Sequence, residues 1–308
     1  MNSDINTSDI ESTVQAFMRD FTLETTPGQA AKLESYQGIL REGTTVAVTF
    51  LPGSDYRDTV KTAARLRAEG FEPAPHFAAR SIASRDEFND FVARCAGEAG
   101  VNHVVALAGG VDNPVGPYDS SMAILETGIF DKHGIAKVGV AGHPEGSPDI
   151  SDALLTEALQ WKNALSERTD AELYIATQFV FEAEPVIAWD KAIQAEGNRL
   201  PIHIGVPGLA TIKTLLAHAK ACGVGPSMRF LTRQAMNVAK LMTVSAPDKL
   251  VTALAQYQAT DPDCGISHVH MYPLGSFKKT ADWSYAVADG AIRMNAKRDG
   301  FEVDLPSA

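Results

Sequence analysis

Eight short apolar segments alternate with helix-forming segments along this chain, and this alternation restricts its fold more than any other feature. Several of the eight are nearly continuous apolar runs, as expected for strands that are buried on both faces. Strands are predicted at residues 21–24, 44–50, 71–77, 103–107, 136–141, 173–181, 201–206 and 266–272. Alternation of strands and helices predicts a parallel sheet, and eight repeats favour a closed barrel over an open sheet.

Helical patterns separate the strands and also precede the first one. Ser8 and Glu11 fit a capping box at the start of a helix over residues 8–19, which is predicted to close the barrel floor. Further helices are predicted at 29–41, 55–69, 84–98, 119–127, 150–167, 183–196 and 280–297, with two or three more within 209–258. No GxGxxG follows the first strand, which argues against a Rossmann fold.

The fold class predicted from these patterns is α/β, a single (β/α)8 TIM barrel with an extra N-terminal helix. One domain is predicted over residues 1–308. It comprises the helix within 1–19, the barrel strands within 20–275, and a C-terminal helix and tail over 276–308. An α/β barrel commonly reaches this length as one domain.

Charge and cysteine content exclude several classes of partner. The net charge is −11 and no basic run stands out, which argues against nucleic-acid binding. Cys95, Cys222 and Cys264 lack CxxC spacing and indicate reduced thiols in a cytoplasmic protein. The acidic, polar N-terminus does not resemble a signal peptide, and no apolar run reaches the roughly 20 residues of a membrane span.

Barrels of this kind hold their active sites at the carboxyl ends of the strands. Those ends supply a set of polar and glycine residues: Glu24, Thr49, His76, Gly109, Gly110, His143, Glu145, Gln178, Pro207, Gly208, His270 and Tyr272. Partial burial of Glu24 would favour the neutral carboxyl group that a general acid needs. A carboxylate paired with a basic neighbour explains this position equally well.

The other strand-end residues also have structural explanations. His76 fits a structural histidine bonded to the backbone, and the glycines fit ordinary turns as well as close approach to a ligand. Gln178 lies in an apolar strand, where its amide needs partners on a ligand or on the next strand. His268 and His270 share a strand face and could bind a metal. No further metal-ligand set accompanies them, so a metallohydrolase is only a third alternative.

Taken in order, the strand-end motifs resemble those of the methylenetetrahydrofolate reductase family. The similar segments lie between residues 20 and 275: Leu23–Pro27, Val48–Phe50, Ala74–His76, His103–Gly110, Val140–Gly146, Thr177–Phe181, Pro207–Gly208 and His270–Leu274. Each motif alone is weak, and the ordered set is what carries the resemblance.

The resemblance implies a cytoplasmic oxidoreductase of one-carbon metabolism and methionine biosynthesis. Such an enzyme reduces 5,10-methylenetetrahydrofolate to 5-methyltetrahydrofolate with a hydride from NADH or NADPH. The resemblance implies Glu24 as the acid that protonates the folate nitrogen and opens the five-membered ring to an iminium. Implied folate contacts are Gln178, Thr49, Phe179 and Gly208. Implied contacts to the flavin FAD are Thr49, His76, Ala108, Gly109, Gly110, Tyr118, His143, Glu145, Gln160 and Lys162.

The chain departs from the family pattern mainly at the flavin contacts. The segment 108–110 reads Ala-Gly-Gly where the family has Arg-Gly-Asp, although Asp112 is near enough to replace the carboxylate. His143 stands in place of a tyrosine, and Lys162 is the one basic residue left in the helix after strand five. Charge-assisted bonds to phosphate are strong, so their loss should weaken FAD binding.

These departures leave three alternatives open for the chemistry. FAD relays the hydride, or the nicotinamide nucleotide donates it directly to the folate iminium. The third alternative is a folate-binding one-carbon or methyl-transfer component without net reduction. The sequence does not decide between NADH and NADPH, and it leaves a homo-oligomer open.

Overall fold

The computed structural model describes residues 7–221, 232 and 241–304, and its central feature is a closed barrel of eight parallel strands. The first seven barrel strands are β1 Thr22–Thr25, β2 Thr45–Val48, β3 Glu72–Ala78, β4 His103–Leu107, β5 Lys137–Gly142, β6 Glu172–Phe179 and β7 Ile202–Pro207. Two short strands follow, β8 Ala210–Thr211 and β9 Val244–Ser245, and β10 Ile266–Tyr272 closes the barrel between β7 and β1. The predicted fold class is confirmed, and each predicted strand end lies within two residues of the observed end.

Helices in the described residues separate the barrel strands. They are α1 Thr7–Met18, α2 Pro27–Ala30, α3 Tyr56–Ala68, α4 Arg85–Ala99, α5 Ser121–Leu125, α6 Ile129–Lys132, α7 Asp152–Leu165, α8 Ala183–Ala195, α9 Ile212–Ala221, α10 Asp248–Thr260 and α11 Phe277–Ala288. A 3-10 turn, Ala79–Ser81, follows β3, and a hairpin of β11 Ile292–Met294 and β12 Phe301–Val303 follows α11. Part of the predicted helical region 209–258, together with Cys222, lies outside the described residues.

Local signals explain where the better-predicted helices begin and end. Asp55 caps α3 by accepting the N–H of Arg57, and Ser84 caps α4 by accepting the N–H of Glu87. Gly100 ends α4 in the left-handed conformation. The predicted capping box on the first helix is wrong. The helix already includes Thr7, so Ser8 is not its cap, and the Glu11 carboxylate instead accepts the Met294 N–H of β11.

The predicted helix over 29–41 is also wrong, because only the four residues of α2 are helical there. Arg65 of α3 donates to the carbonyl groups of Ala30, Leu33 and Glu34. The Glu69 carboxylate accepts from the hydroxyl group of Ser35 and the N–H of Tyr36. Backbone groups that a helix would pair internally are thus bound by side chains at the C-terminal end of α3.

The predicted C-terminal helix over 280–297 runs too far. It ends at Ala288, after which Gly290 has a left-handed φ of 77°, a common helix stop. The chain then forms the antiparallel pair β11–β12, with Ile292 opposite Val303. The region predicted as helix and tail therefore contains a hairpin.

The chain forms two compact units, each with its own core. One comprises Thr22–Gly142 and Thr156–Ala176, and the ring of Phe77 packs there against those of Phe88, Phe91 and Phe130. The other comprises Met1–Phe21, His143–Leu155 and Thr177–Ala308. Its core includes a cluster of Phe179, Ala210, Ile212, Leu215 and Ala219, and α1 packs there on α10, α11 and β10. The one-domain assignment stays a prediction.

Two further features concern the predicted reduced thiols and the predicted absence of a membrane span. Cys95 and Cys264 are free thiols, and burial raises the pKa of Cys264 to about 12. None of the described helices combines the length and the apolar content that crossing a membrane requires.

Gly205 in β7 has no room for a side chain. Its N–H donates to the Thr177 hydroxyl at 2.8 Å, and a Cβ atom would lie 2.6 Å from the carbonyl oxygen of Gln178. We expect Gly205→Ala to lower the free energy of unfolding by about 1–3 kcal/mol, because backbone cannot move aside as a side chain can.

Gly97 in α4 provides the matched control for urea unfolding. A Cβ atom there meets nothing within 4 Å. The Gly97→Ala variant should gain about 0.5–1 kcal/mol from helix propensity. Equal unfolding midpoints for the two variants would contradict the close packing at Gly205.

Candidate active site

Glu24, Thr49 and His76 lie on the same face of three neighbouring strands. Glu24 pairs in register with Ala47 of β2, and Ala47 pairs with Ala74 of β3. Thr49 and His76 each follow these partners by two residues, and alternation returns their side chains to the same face. Glu24 is the third of four residues in β1 rather than its last.

These three residues combine burial with polarity. Glu24 is half-buried and its Oε2 atom is buried, while His76 is 9% exposed. The Thr49 N–H donates to the Thr25 carbonyl oxygen at 2.8 Å. Its hydroxyl oxygen is buried and has no hydrogen-bond partner in the described part of the chain. A buried hydroxyl of this kind suits a bound ligand with a polar edge.

A buried hydrogen bond supports the end of β1 next to Glu24. The Tyr36 hydroxyl donates to Thr25 Oγ1 at 3.0 Å, and both side chains are almost fully buried. Burial raises the pKa of Tyr36, so its hydroxyl stays a donor. Sequence reasoning missed Tyr36, because its segment was taken for a helix.

The segment after β4 carries no charge where the family pattern has two. Ala108, Gly109 and Gly110 follow the strand, and Gly109 has a left-handed φ of 94°. The Arg80 N–H donates to the Ala108 carbonyl oxygen at 2.9 Å, and its guanidinium donates to the Asp119 carbonyl oxygen at 2.8 Å. Arg80, which sequence reasoning also missed, therefore anchors the loop. Its position two residues after the end of β3 is the sequence signal that could indicate it.

Tyr118 lies in the core rather than on an open surface. It is 6% exposed, and its ring packs edge-on against Phe88 at 5.9 Å between centroids. Burial raises the pKa of Tyr118. Asp112, considered as a replacement for the family carboxylate, is exposed.

Lys162 is the one buried residue among the described side chains of α7. Its ammonium group donates to the Ala141 carbonyl oxygen of β5 at 2.8 Å, and the side chain is 5% exposed. Burial lowers the pKa of Lys162 to about 8. Gln160, two residues earlier, is exposed.

The lowered pKa of Lys162 makes stability depend on pH. The unfolded chain keeps this proton up to about pH 10.5, whereas the folded protein releases it near pH 8. Between these values the unfolded state binds more protons, so the free energy of unfolding rises with pH, by up to about 3 kcal/mol. The wild-type free energy of unfolding in urea, minus that of Lys162→Met, should rise by this amount, because the buried thiols and phenols titrate alike in both proteins. Parallel curves would contradict the burial of a titrating ammonium group.

The other predicted contacts lie in the second unit. Gln178 is exposed, and its Oε1 atom accepts the N–H of Phe179 at 3.1 Å. Phe179 is 1% exposed and packs against Tyr272 at 5.3 Å between ring centroids, so its side chain belongs to the core. The Gly208 N–H donates to the Tyr272 carbonyl oxygen at 2.7 Å.

His143 and Glu145 occupy the turn after β5. Both are half-buried, and the Gly146 N–H donates to the His143 carbonyl oxygen at 3.1 Å.

A Cβ atom on Gly208 would collide with the side chain of Thr280 in α11. Close packing against α11 thus explains why residue 208 is a glycine.

The histidines of β7 and β10 form ring contacts. His203 packs on His268 at 4.4 Å between centroids, and His270 packs edge-on against Tyr272 at 4.8 Å. Within the described ranges, no three His, Cys, Asp or Glu side chains gather as metal ligands.

The residues implied for FAD supply no available cation for its phosphate groups. The Lys162 ammonium is buried against a backbone carbonyl, and the Arg80 guanidinium is bound to loop carbonyls. Residues 108–110 offer no charged side chain. A pyrophosphate needs cations or converging N–H donors, and the residues named for it supply no available cation.

Comparison with known proteins relates this chain to one family. Residues 25–274 match the family model described as methylenetetrahydrofolate reductase, a match that begins directly after Glu24. Methylenetetrahydrofolate reductase 1 of Schizosaccharomyces pombe is 32% identical over 95 residues, which are 30% of this chain and 15% of that protein. The chain therefore spans only a small part of that relative.

A solved structure shares the fold over nearly its whole length. It is an uncharacterized protein from Clostridium thermocellum that binds two copies of 5-methyl-5,6,7,8-tetrahydrofolic acid. The two chains are 12% identical, with a TM-score of 0.56 over 91% of this chain and 97% of the other. At this identity, the likeness shows the fold alone.

Proposed function

The chain belongs to the methylenetetrahydrofolate reductase family, and we propose that it reduces 5,10-methylenetetrahydrofolate with a hydride taken directly from a nicotinamide nucleotide. The observation that carries the proposal is the shared strand face of Glu24, Thr49 and His76. It combines a half-buried carboxyl group with a buried hydroxyl that needs a partner. Folate binding by the Clostridium thermocellum protein of the same fold is consistent with the substrate class.

Glu24 supplies the proton in the proposed reaction. Its carboxyl group protonates the bridging folate nitrogen, the C–N bond breaks, and an iminium forms at the methylene carbon. The nicotinamide ring then transfers a hydride to that carbon, so the donor is oxidised and the methylene group becomes methyl. General-acid catalysis of such a step contributes about 10²–10⁴-fold. Solvent returns the proton to Glu24 after turnover.

The exposed amide of Gln178 is the proposed contact to the pterin. An amide offers both a donor and an acceptor, which suits the edge of a heterocycle. Phe179 and Gly208 are proposed to support this contact through packing rather than to touch folate themselves. Thr49 is proposed to direct its hydroxyl at the bound substrate.

The burial of the Lys162 ammonium group favours direct hydride transfer over a flavin relay. Lys162, the one basic residue left in α7 from the family pattern, has its ammonium bound inside the protein. The hydride donor itself carries the redox chemistry, and the protein orients it and excludes water. A cytoplasmic location, as expected from the sparse cysteines, belongs to this proposal.

Two measurements on the purified protein test the proposal. The first is the visible absorbance spectrum, which should lack a flavin band before and after FAD is added and removed by gel filtration. The second is NADH or NADPH oxidation with methylenetetrahydrofolate, which should proceed without FAD. Activity that appears only with added FAD would overturn direct transfer.

The alternative is a folate-binding component of methyl transfer. It is favoured by one observation, namely that the Clostridium thermocellum protein binds 5-methyltetrahydrofolic acid, a methylated product rather than the methylene substrate. Tight folate binding without oxidation of either nicotinamide nucleotide would support this alternative and reject reduction.

A further inference from the structure

A cavity of about 210 Å³ lies between the carboxyl ends of β2 and β3 and the first turns of α3 and α4. All of its lining residues belong to the unit that contains Glu24. The cavity begins at Phe50, directly after Thr49. None of the residues named above as folate or flavin contacts lines it.

Aromatic rings form one part of the cavity wall. Phe91 lies 6.3 Å from Phe50 and 4.9 Å from Tyr56 between ring centroids. The Tyr56 hydroxyl donates to Asp90, which also accepts from Arg94, so this ring is fixed in place. Phe91 is itself 2% exposed and Arg57 lies over the Tyr56 ring, so the half-buried ring of Phe50 provides the face on which a planar heterocycle can stack.

Ser81 adds a buried polar group to the apolar wall. Its hydroxyl oxygen is buried and, within the described residues, has no hydrogen-bond partner. A hydroxyl can donate to a ring nitrogen or accept from an amino group. The edge of a purine base offers both kinds of partner.

Three charged side chains, Asp55, Arg57 and Glu87, complete the lining. Glu87 uses its Oε1 atom to accept the Ala83 N–H at 3.0 Å, which leaves its second oxygen for a ligand. The Arg57 guanidinium lies 4.8 Å from the Tyr56 ring centroid and forms an exposed ion pair with Asp55 at 3.4 Å. Arg57 is 56% exposed, so its charge can reach a phosphate group at the mouth of the cavity.

We infer that this cavity binds the adenosine-phosphate half of the nicotinamide donor, and that it selects NADH over NADPH. Phe50 receives the base, Ser81 contacts its edge, Glu87 binds the ribose hydroxyls and Arg57 pairs with phosphate. A carboxylate that binds a ribose diol repels the 2′-phosphate of NADPH. The inference rests on the proposed use of a nicotinamide nucleotide as hydride donor.

Calorimetric titration with ADP-ribose tests the cavity without requiring turnover. ADP-ribose carries the adenosine diphosphate part of the donor and lacks the nicotinamide ring. Arg57→Gln and Glu87→Gln should each raise its Kd by about ten-fold, and Ser81→Ala by about five-fold. Nicotinamide mononucleotide, the other half of the donor, should bind all variants and the wild type alike.

Two surface variants serve as matched controls. Arg293 is a similarly exposed arginine that contacts Asp304 at 3.1 Å in the β11–β12 hairpin. Ser12 is an exposed serine of α1. Arg293→Gln and Ser12→Ala should leave the Kd of ADP-ribose unchanged. Circular dichroism of every variant checks that the fold is retained.

The preference for NADH gives a second readout. The 2′-phosphorylated form of ADP-ribose should bind the wild type at least about ten-fold more weakly than ADP-ribose. Glu87→Gln should reduce that ratio. Equal binding of the two ligands, or unchanged binding of ADP-ribose in all three cavity variants, would overturn the inference.

The outcomes for the cavity and for the proposed function are separable. If NADH reduces methylenetetrahydrofolate normally in all three variants, the function stands and the cavity assignment fails. If the variants lose ADP-ribose binding while the wild type shows no reduction, the cavity assignment stands and the function fails.

Discussion

Glu24→Gln is expected to lower the rate of methylenetetrahydrofolate reduction by about 10²–10⁴-fold, the range that a general acid contributes. The amide is nearly the same size as the carboxyl group and cannot supply the proton. Because Glu24 is half-buried within β1 and its register with Ala47 depends on backbone groups, the strand pairing should persist. The loss should therefore appear in kcat, with little change in the Kd of folate.

Glu34→Gln provides the control for that experiment. Glu34 is an exposed carboxylate of the same unit, and its described hydrogen bond is made by its backbone carbonyl with Arg65. Replacing it should leave turnover unchanged. Near-normal turnover of Glu24→Gln, measured as oxidation of the nicotinamide nucleotide, would reject the acid role of Glu24 and with it the proposed mechanism.

The barrel could be predicted because its strands are specified locally. A run such as His103–Leu107 is apolar on both faces, so burial between the barrel interior and the outer helices is its natural setting. The segment 31–41 could not be predicted in this way. Its conformation depends on Arg65 of α3 and on Glu69, the residue after α3, which bind its backbone from a distance along the chain.

In the candidate site too, some residue positions follow from local strand pattern and others depend on tertiary packing. Strand alternation and parallel register bring Glu24, Thr49 and His76 to one face, and both follow from the strand assignments. The burial of Lys162 and Tyr118 does not follow from sequence. Each depends on how a helix or loop is rotated against the core, and motif matching gave both residues to the cofactor.

This contrast also bears on the flavin contacts that the resemblance implies. Motif matching assigns Lys162 of α7 to phosphate because the family has basic residues in this helix. Its role depends instead on which hydrogen-bond acceptor its ammonium group contacts. In this chain the Ala141 carbonyl oxygen is that acceptor. A residue type retained from the family pattern therefore indicates a shared position in the fold, and its contacts decide its function.

Asp190→Ala is expected to lower the free energy of unfolding by about 3–5 kcal/mol, the largest stability effect proposed for this chain. Asp190 is fully buried in α8 and accepts three hydrogen bonds. The donors are the Tyr257 hydroxyl at 2.8 Å, the Gln194 amide at 2.9 Å and the Gly265 N–H at 3.1 Å. Removing the carboxyl group leaves the buried Tyr257 hydroxyl and two half-buried N–H donors without this partner, and an unsatisfied buried donor costs about 1–3 kcal/mol.

The position of these donors explains why the loss should be global. Tyr257 belongs to α10, and Gly265 directly precedes β10, whose pairing with β7 continues into the bond from Ile202 N–H to the Gly265 carbonyl oxygen. Asp190 thus ties an outer helix to the start of the strand that closes the barrel. Burial and the Asp190 contact both raise the pKa of Tyr257, so its hydroxyl remains a donor up to high pH.

Urea unfolding of three variants separates this network from an ordinary surface pair. Tyr257→Phe should cost about 1–2 kcal/mol, and its effect should largely disappear in the Asp190→Ala background, because the two residues share one hydrogen bond. Asp282→Ala, which breaks the exposed ion pair with Lys278 at 2.7 Å, should cost no more than about 1 kcal/mol. If Asp190→Ala unfolds as readily as Asp282→Ala, the buried carboxylate does not hold α8, α10 and β10 together.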